Sequence, residues 1–113
     1  MLLGTTNPGK LRELEALFAL PGVELRVPSQ LGLRLNVAET GASYLENARL
    51  KAVAHAQAGV VWALGDDTGL EVEALFGAPG LLSARVGVDD PHRRELLLRS
   101  LAAHPRPWRA RFR

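Results

Sequence analysis

Gly65-Asp66-Asp67-Thr68-Gly69-Leu70 decides the reading of this chain, because it sets two adjacent carboxylates directly after the apolar run Val60-Val61-Trp62-Ala63-Leu64. Five apolar residues closed by a glycine predict a buried strand. In open α/β sheets ligands bind in the crevice beyond the carboxyl ends of the strands, so the acids fall where a site would be. Neighbouring carboxylates repel, and a hard metal ion or acid–base chemistry is the usual reason to keep such a pair. On local grounds the same residues also make an ordinary Asp-Asp-x-Gly turn, since Asp and Gly favour turns through local hydrogen bonding and backbone freedom.

Working upstream, Ser43-x-x-Glu46 is a capping box ahead of a helix that carries Tyr44, Leu45, Ala48, Ala52, Val53 and Ala56 and stops at Gly59. Asn47 and Lys51 lie four apart and share one face of it, either to address one ligand or as a solvated polar pair. The segment from Gln30 to Ala38 is irregular and reads as a connection leading to Glu39-Thr40-Gly41, and Val23–Val27 alternates as a second strand that Pro28-Ser29 ends. At the start, Met1-Leu2-Leu3 predicts a short strand running into Gly4-Thr5-Thr6-Asn7-Pro8-Gly9-Lys10. A helix follows, with Asn7 as N-cap, Pro8 at its first position, and an apolar stripe of Leu11, Leu14, Leu17 and Phe18. A glycine-bearing loop at a helix N-terminus offers free N–H groups and the positive end of the macrodipole, and Thr5, Thr6 and Lys10 add donors. That describes a phosphate cradle, although the spacing is not that of the P-loop and many such turns bind nothing.

Downstream, Leu70–Leu75 alternates as a strand with Glu71 and Glu73 toward solvent, and Gly77-Ala78-Pro79-Gly80 makes a tight turn. Arg85 could then meet a phosphate or a surface acid. Asp90 as N-cap and Pro91 start a third helix whose core face is Leu97, Leu98 and Leu101, continuing through Ala103. Trp108-Arg109-Ala110-Arg111-Phe112-Arg113 alternates apolar and basic residues, which favours a sheet strand over a nucleic-acid tail. No cap or turn follows it, so the domain is expected to be cut in mid-sheet after Arg113. His92 and His104 are expected at the surface. With His55 they form no metal-ligand spacing, and there is no cysteine, which argues against zinc.

Composition bounds the function classes. With 113 residues the chain is one domain or part of one, and 47% apolar content suffices for a core. No apolar run reaches membrane-spanning length and Met1-Leu2-Leu3 does not begin a signal peptide, so a cytoplasmic protein without a membrane partner is expected. A pI of 9.7 suggests nucleic acid, but the net charge is only +2 and the arginines are scattered until the C-terminal tail, so nucleic acid is discounted as a partner. Of 14 basic residues 12 are arginine, and isoleucine is absent. In so biased a chain, Lys10 and Lys51 mark places where a compact ammonium serves and a guanidinium fork does not. The competing explanation for just two lysines is chance.

Four motifs occur together and in register: Thr5-Thr6-Asn7-Pro8-Gly9-Lys10; Glu39-Thr40-Gly41-x-x-Tyr44-x-Glu46-Asn47-Ala48-x-x-Lys51-Ala52; Asp66-Asp67-Thr68-Gly69-Leu70; and Gly77-Ala78-Pro79-Gly80 with Ser83-Ala84-Arg85. In this order the chain closely resembles, over nearly its whole length, the inosine triphosphate pyrophosphatase family, also called Ham1 or non-canonical purine nucleoside triphosphate pyrophosphatases. The resemblance implies magnesium-dependent hydrolysis of inosine, deoxyinosine and xanthosine triphosphates to the monophosphate and pyrophosphate, by a homodimer that cleanses the nucleotide pool. It implies an α/β fold with a mixed central sheet and flanking helices, elongated and two-lobed, of which residues 1–113 form the N-terminal part of a single domain. Carried over by position, Thr5, Thr6, Asn7, Pro8, Gly9 and Lys10 would hold the triphosphate, and Asp67 would be the general base. Glu39, Asp66 and Asp67 would hold magnesium, while Asn47, Lys51, Thr68 and Arg85 would contact substrate.

The chain departs from the family at Ala38, where many members carry a second acid, and at Thr68, where serine is commoner. The segments that recognise the base would lie beyond Arg113, so base choice is left open and this stretch by itself is expected not to be fully active. Two other readings stand beside this one. One is a noncatalytic nucleotide- or nucleic-acid-binding module that kept the cradle; the other is a related pyrophosphatase acting on modified pyrimidine nucleotides.

Overall fold

The structure, a computed structural model, describes residues 1–5, 8–18 and 21–113, without the side chain of Pro8. The described residues form two units, Met1–Asp67 and Thr68–Arg113.

In the first unit, strand β1 (Leu2–Gly4) leads to helix α1 (Pro8–Leu17); a long connection then reaches helix α2 (Tyr44–Gly59) and strand β2 (Ala63–Gly65). β1 and β2 run parallel, in the register Leu2↔Ala63, Leu3↔Leu64 and Gly4↔Gly65. Parallel neighbours require a crossover, and the chain between them supplies one containing both helices. Leu2 and Leu3 are fully buried, so β1 is the spine of this unit. On its other edge Arg26 makes a single parallel bridge, its carbonyl accepting the Leu3 N–H and its N–H donating to Met1 O. The strand expected over Val23–Val27 is therefore reduced to one bridging residue, because Val27 already caps a 3-10 turn at Pro28–Leu31.

The expectation of a buried strand over Val60–Leu64 is corrected. Helix α2 runs to Gly59, Val60 turns left-handed with φ of 49°, and only Ala63–Gly65 pair with β1. Val60 and Trp62 are each 88% exposed. Helix α2 stops at Gly59 as expected, and a left-handed turn at Val60 followed by a bend at Val61 takes the residues that would have lengthened the strand. At the start of α2, Ser43 Oγ accepts the Glu46 N–H as expected, but the Glu46 carboxylate takes the N–H of Ala42, not that of Ser43.

In the second unit, strand β3 (Leu70–Val72) pairs antiparallel with β4 (Ala110–Phe112), and the facing Glu71 and Arg111 form an ion pair. The strand read over Trp108–Arg113 is thus present, narrowed to Ala110–Phe112. The one expected over Leu70–Leu75 stops at Val72, where Glu73–Leu75 coil into a 3-10 turn closed by Phe76 and Gly77 at positive φ. Helix α3 (Asp90–Leu101) is capped by Asp89, one residue before the expected cap, whose carboxylate accepts the His92 N–H. It ends at Leu101, short of the expected Ala103. The α/β class holds, and within the described residues the sheet consists of a two-stranded parallel ladder in one unit and a two-stranded antiparallel ladder in the other.

Candidate functional site

The site belongs to the first unit and begins with a close approach. A Cβ on Gly65 would lie 1.9 Å from the carbonyl oxygen of Ala48 and 2.8 Å from the nitrogen of Ala52, so only glycine lets the end of β2 rest on the backbone of α2. This contact brings Asp66 and Asp67, the next two residues, against the helix face that carries Asn47 and Lys51. The loop before α2 is held equally tightly, since a Cβ on Gly41 would fall 2.8 Å from Asn47 Oδ1.

Asn47 and Lys51, one turn apart on α2, each join that loop to Asp67. Asn47 Oδ1 accepts the Gly41 N–H at 2.8 Å, and its Nδ2 donates to Asp67 Oδ2 at 3.2 Å. Lys51 Nζ forms an ion pair with Glu39 and donates to Asp67 Oδ1 at 3.0 Å and to the Asp66 carbonyl at 3.0 Å. Both oxygens of Asp67 are thereby fixed by different helix side chains. Burial pushes the Lys51 ammonium down, but its hydrogen bonds to Glu39 and Asp67 and their charges outweigh it and hold the group above the ordinary lysine value. The bland alternative for Asn47 and Lys51, a solvated pair, is excluded, because Asn47 is 1% exposed and the Lys51 side chain 15%.

Asn47, expected as a substrate contact, is buried and commits its amide to Gly41 and Asp67. Asp66 and Asp67, read as sharing one cation, send their side chains apart: the Asp66 carboxylate pairs with Lys10, and only its backbone carbonyl faces Lys51. The two lysines of the chain thus pair with its two adjacent aspartates. Within the proposed cradle, the Thr5 N–H donates to Leu3 O and Gly9 and Lys10 lie in the first turn of α1, whereas Thr6, Asn7 and the Pro8 side chain fall outside the described residues. Thr68 and Arg85, both exposed, belong to the second unit.

His55 is the residue whose place the sequence reading missed. It is 5% exposed, beside Gly4, with its Nδ1 2.7 Å from the Lys51 carbonyl oxygen. Spacing held the signal, since 47, 51 and 55 form one i, i+4 stripe.

Among the described residues, no three imidazole or carboxylate side chains converge as a complete metal cage. What converges is two carboxylates, Glu39 and Asp67, and one carbonyl, all on the Lys51 ammonium, which stands in for a cation among hard oxygen donors. Magnesium is commonly held by one or two carboxylates, with waters and substrate phosphates completing its shell, so this donor set fits it.

A family model described as the Ham1 family matches residues 1–113. The dITP/XTP pyrophosphatase of Gloeobacter violaceus is 48% identical over 103 residues, which are 90% of this chain and 51% of that protein. The protein of the same name from Prochlorococcus marinus is 47% identical over 102 residues, 89% of this chain and 48% of its own. The solved structure of the Staphylococcus aureus Ham1 protein superimposes with a TM-score of 0.79 at 36% identity, covering 98% of this chain and 58% of that one. The chain spans about half the length of the curated relatives it matches.

Proposed function

Because the chain belongs to the Ham1 family, we propose that it carries the phosphate and metal half of a pyrophosphatase acting on non-canonical purine nucleoside triphosphates, those of deoxyinosine, inosine and xanthosine. The products are the nucleoside monophosphate and pyrophosphate. The observation that carries this reading is the joining of Glu39, Lys51 and Asp67 at one point on α2. Hydrolysis of a polyanion calls for carboxylates to hold a cation, a base for water and ammonium groups for the leaving phosphates, and two carboxylates with one ammonium at that point support the reading.

In the proposed reaction, water attacks, the bond between the α- and β-phosphoryl groups breaks, and the water proton passes to Asp67. That carboxylate is pre-positioned: Asn47 fixes Oδ2, leaving Oδ1 with the exchangeable Lys51 contact. Glu39 and Asp67 would hold magnesium, which when bound supplies charge neutralisation and orientation of the phosphate oxygens. Thr5, Thr6, Asn7, Pro8, Gly9 and Lys10 would hold the triphosphate, with Gly9 and Lys10 in the first turn of α1, where backbone N–H groups and the helix dipole favour anions. Lys10 and Lys51 neutralise the departing pyrophosphate, and Thr68 and Arg85 contact substrate. The protein would work in the cytoplasm as a homodimer; no described helix is long and apolar enough to cross a membrane.

The test compares pyrophosphate release from dITP, XTP and ATP, with and without magnesium. It uses the 113-residue chain and the same chain joined to the second half of the Gloeobacter violaceus relative. The joined protein is expected to release pyrophosphate from dITP and XTP far faster than from ATP, and only with the metal, while the chain alone shows no purine preference. Nucleotide binding without turnover would replace this reading with a noncatalytic module, and preference for a modified pyrimidine triphosphate would move it to the related enzymes.

A further inference from the structure

Lys51 Nζ is surrounded by oxygens from three places in the chain: the Glu39 carboxylate, the Asp66 main-chain carbonyl and Asp67 Oδ1. These are the donors that a hard divalent cation would take. We propose that the Lys51 ammonium is a built-in substitute for that cation: it holds the oxygen set in the metal-free protein and is released toward the polyphosphate when the metal enters. Metal and polyphosphate then strengthen each other's binding through one side chain. The inference rests on reading Glu39 and Asp67 as the magnesium carboxylates.

The physics requires an exchange. An ammonium and a divalent cation cannot share oxygens a few ångströms apart without strong repulsion. Two carboxylates gathered on one point repel each other once the ammonium leaves, so in the absence of metal a positive charge between them is favoured. Lysine suits the part because it is a point charge on a flexible four-carbon stem, able to swing away without breaking a planar, bidentate fit. Its departure needs an anion to receive it, and a triphosphate provides one. Asp67 keeps its place meanwhile, because the Asn47 hydrogen bond to Oδ2 and the Asn47 bond to Gly41 do not involve Lys51. The neutral bridge is permanent and the charged bridge is exchangeable. By linkage, whatever draws Lys51 away raises metal affinity by the factor by which metal raises affinity for that ligand.

The experiment uses Mn2+ as probe, read by electron paramagnetic resonance on the 113-residue chain with no nucleotide or phosphate present. Lys51→Met removes the rival cation and keeps the stem; it is expected to bind Mn2+ about tenfold more tightly than the wild type. Lys51→Arg, which retains the charge, is expected to show no such gain. Equal or weaker Mn2+ binding by Lys51→Met would overturn the proposal, as would a gain of the same size in Lys51→Arg. Should Lys51→Met fail to fold without metal, circular dichroism decides: folding restored by Mn2+ supports the exchange, and no restoration overturns it. Because nothing here depends on turnover, Mn2+ binding as described together with a joined protein that hydrolyses no triphosphate would sink the proposed activity and leave the exchange standing. Turnover without the Mn2+ result would do the reverse.

Discussion

Lys51 Nζ lies 3.0 Å from Asp67 Oδ1, which joins the middle of helix α2 to a residue sixteen positions later, just past the glycine at which β2 rests on that helix. The contact exists because Gly65 has no side chain. It gives the site a rigid floor, with Asp67 fixed by two helix residues and the Glu39 loop fixed by the same two.

Asp67→Asn should therefore leave the fold intact and nearly abolish turnover in the joined, full-length protein. A loss of about a hundredfold or more in kcat is the size expected for a general base. Retention of a third or more of wild-type turnover with saturating magnesium and dITP would remove Asp67 from that role.

Asn47→Ala should lower stability as well as activity, because it strands the half-buried Gly41 N–H and withdraws a donor from Asp67. An unsatisfied buried group costs about 1–3 kcal/mol. Urea denaturation of the variant measures the loss, and an unchanged midpoint would show that water replaces the amide freely.

Gly65→Ala should be more damaging than its size suggests. The added methyl would meet backbone atoms of Ala48 and Ala52, which cannot rotate away. Overpacking of this kind costs about 3 kcal/mol or more, readable as a fall in thermal midpoint. A variant as stable as the wild type would mean that α2 shifts easily off β2.

Lys10→Arg and Lys51→Arg should each reduce turnover although charge is kept, since both ammonium groups are bound by single carboxylate oxygens and the larger guanidinium demands planar partners. Unchanged kcat and KM in both variants would return these lysines to the background.

The pH dependence follows from the sign of the Lys51 shift. Its ammonium is held above the ordinary lysine value of about 10.4, so its contribution to stability is complete at neutral pH and is lost only as pH rises through the raised value. The difference in thermal midpoint between wild type and Lys51→Met should stay constant from about pH 7 to 10 and shrink above that range. A difference that collapses below pH 9 would contradict it.

The sequence alone determined several local structures and singled out Glu39, Lys51 and Asp67, which the structure brings together. The Ser43 cap, the third helix behind Pro91, and the alternating strand at the end are written in neighbouring residues, and such signals act over a single turn or a single strand. The lysine–aspartate pairing was half visible, since the scarcity of lysine marked Lys10 and Lys51 without saying what they face. Tertiary structure decided the rest. Just past the helix stop read at Gly59 it turned the chain left-handed at Val60, so that Val60 and Trp62 became exposed and the strand shrank to Ala63–Gly65. It also divided two adjacent carboxylates between two lysines from different helices and turned Asn47 inward. Successive residues in extended chain point to opposite sides, so neighbours in sequence can serve different partners. Which partners they meet depends on how closely helix and strand approach, and here a single missing Cβ at Gly65 sets that distance.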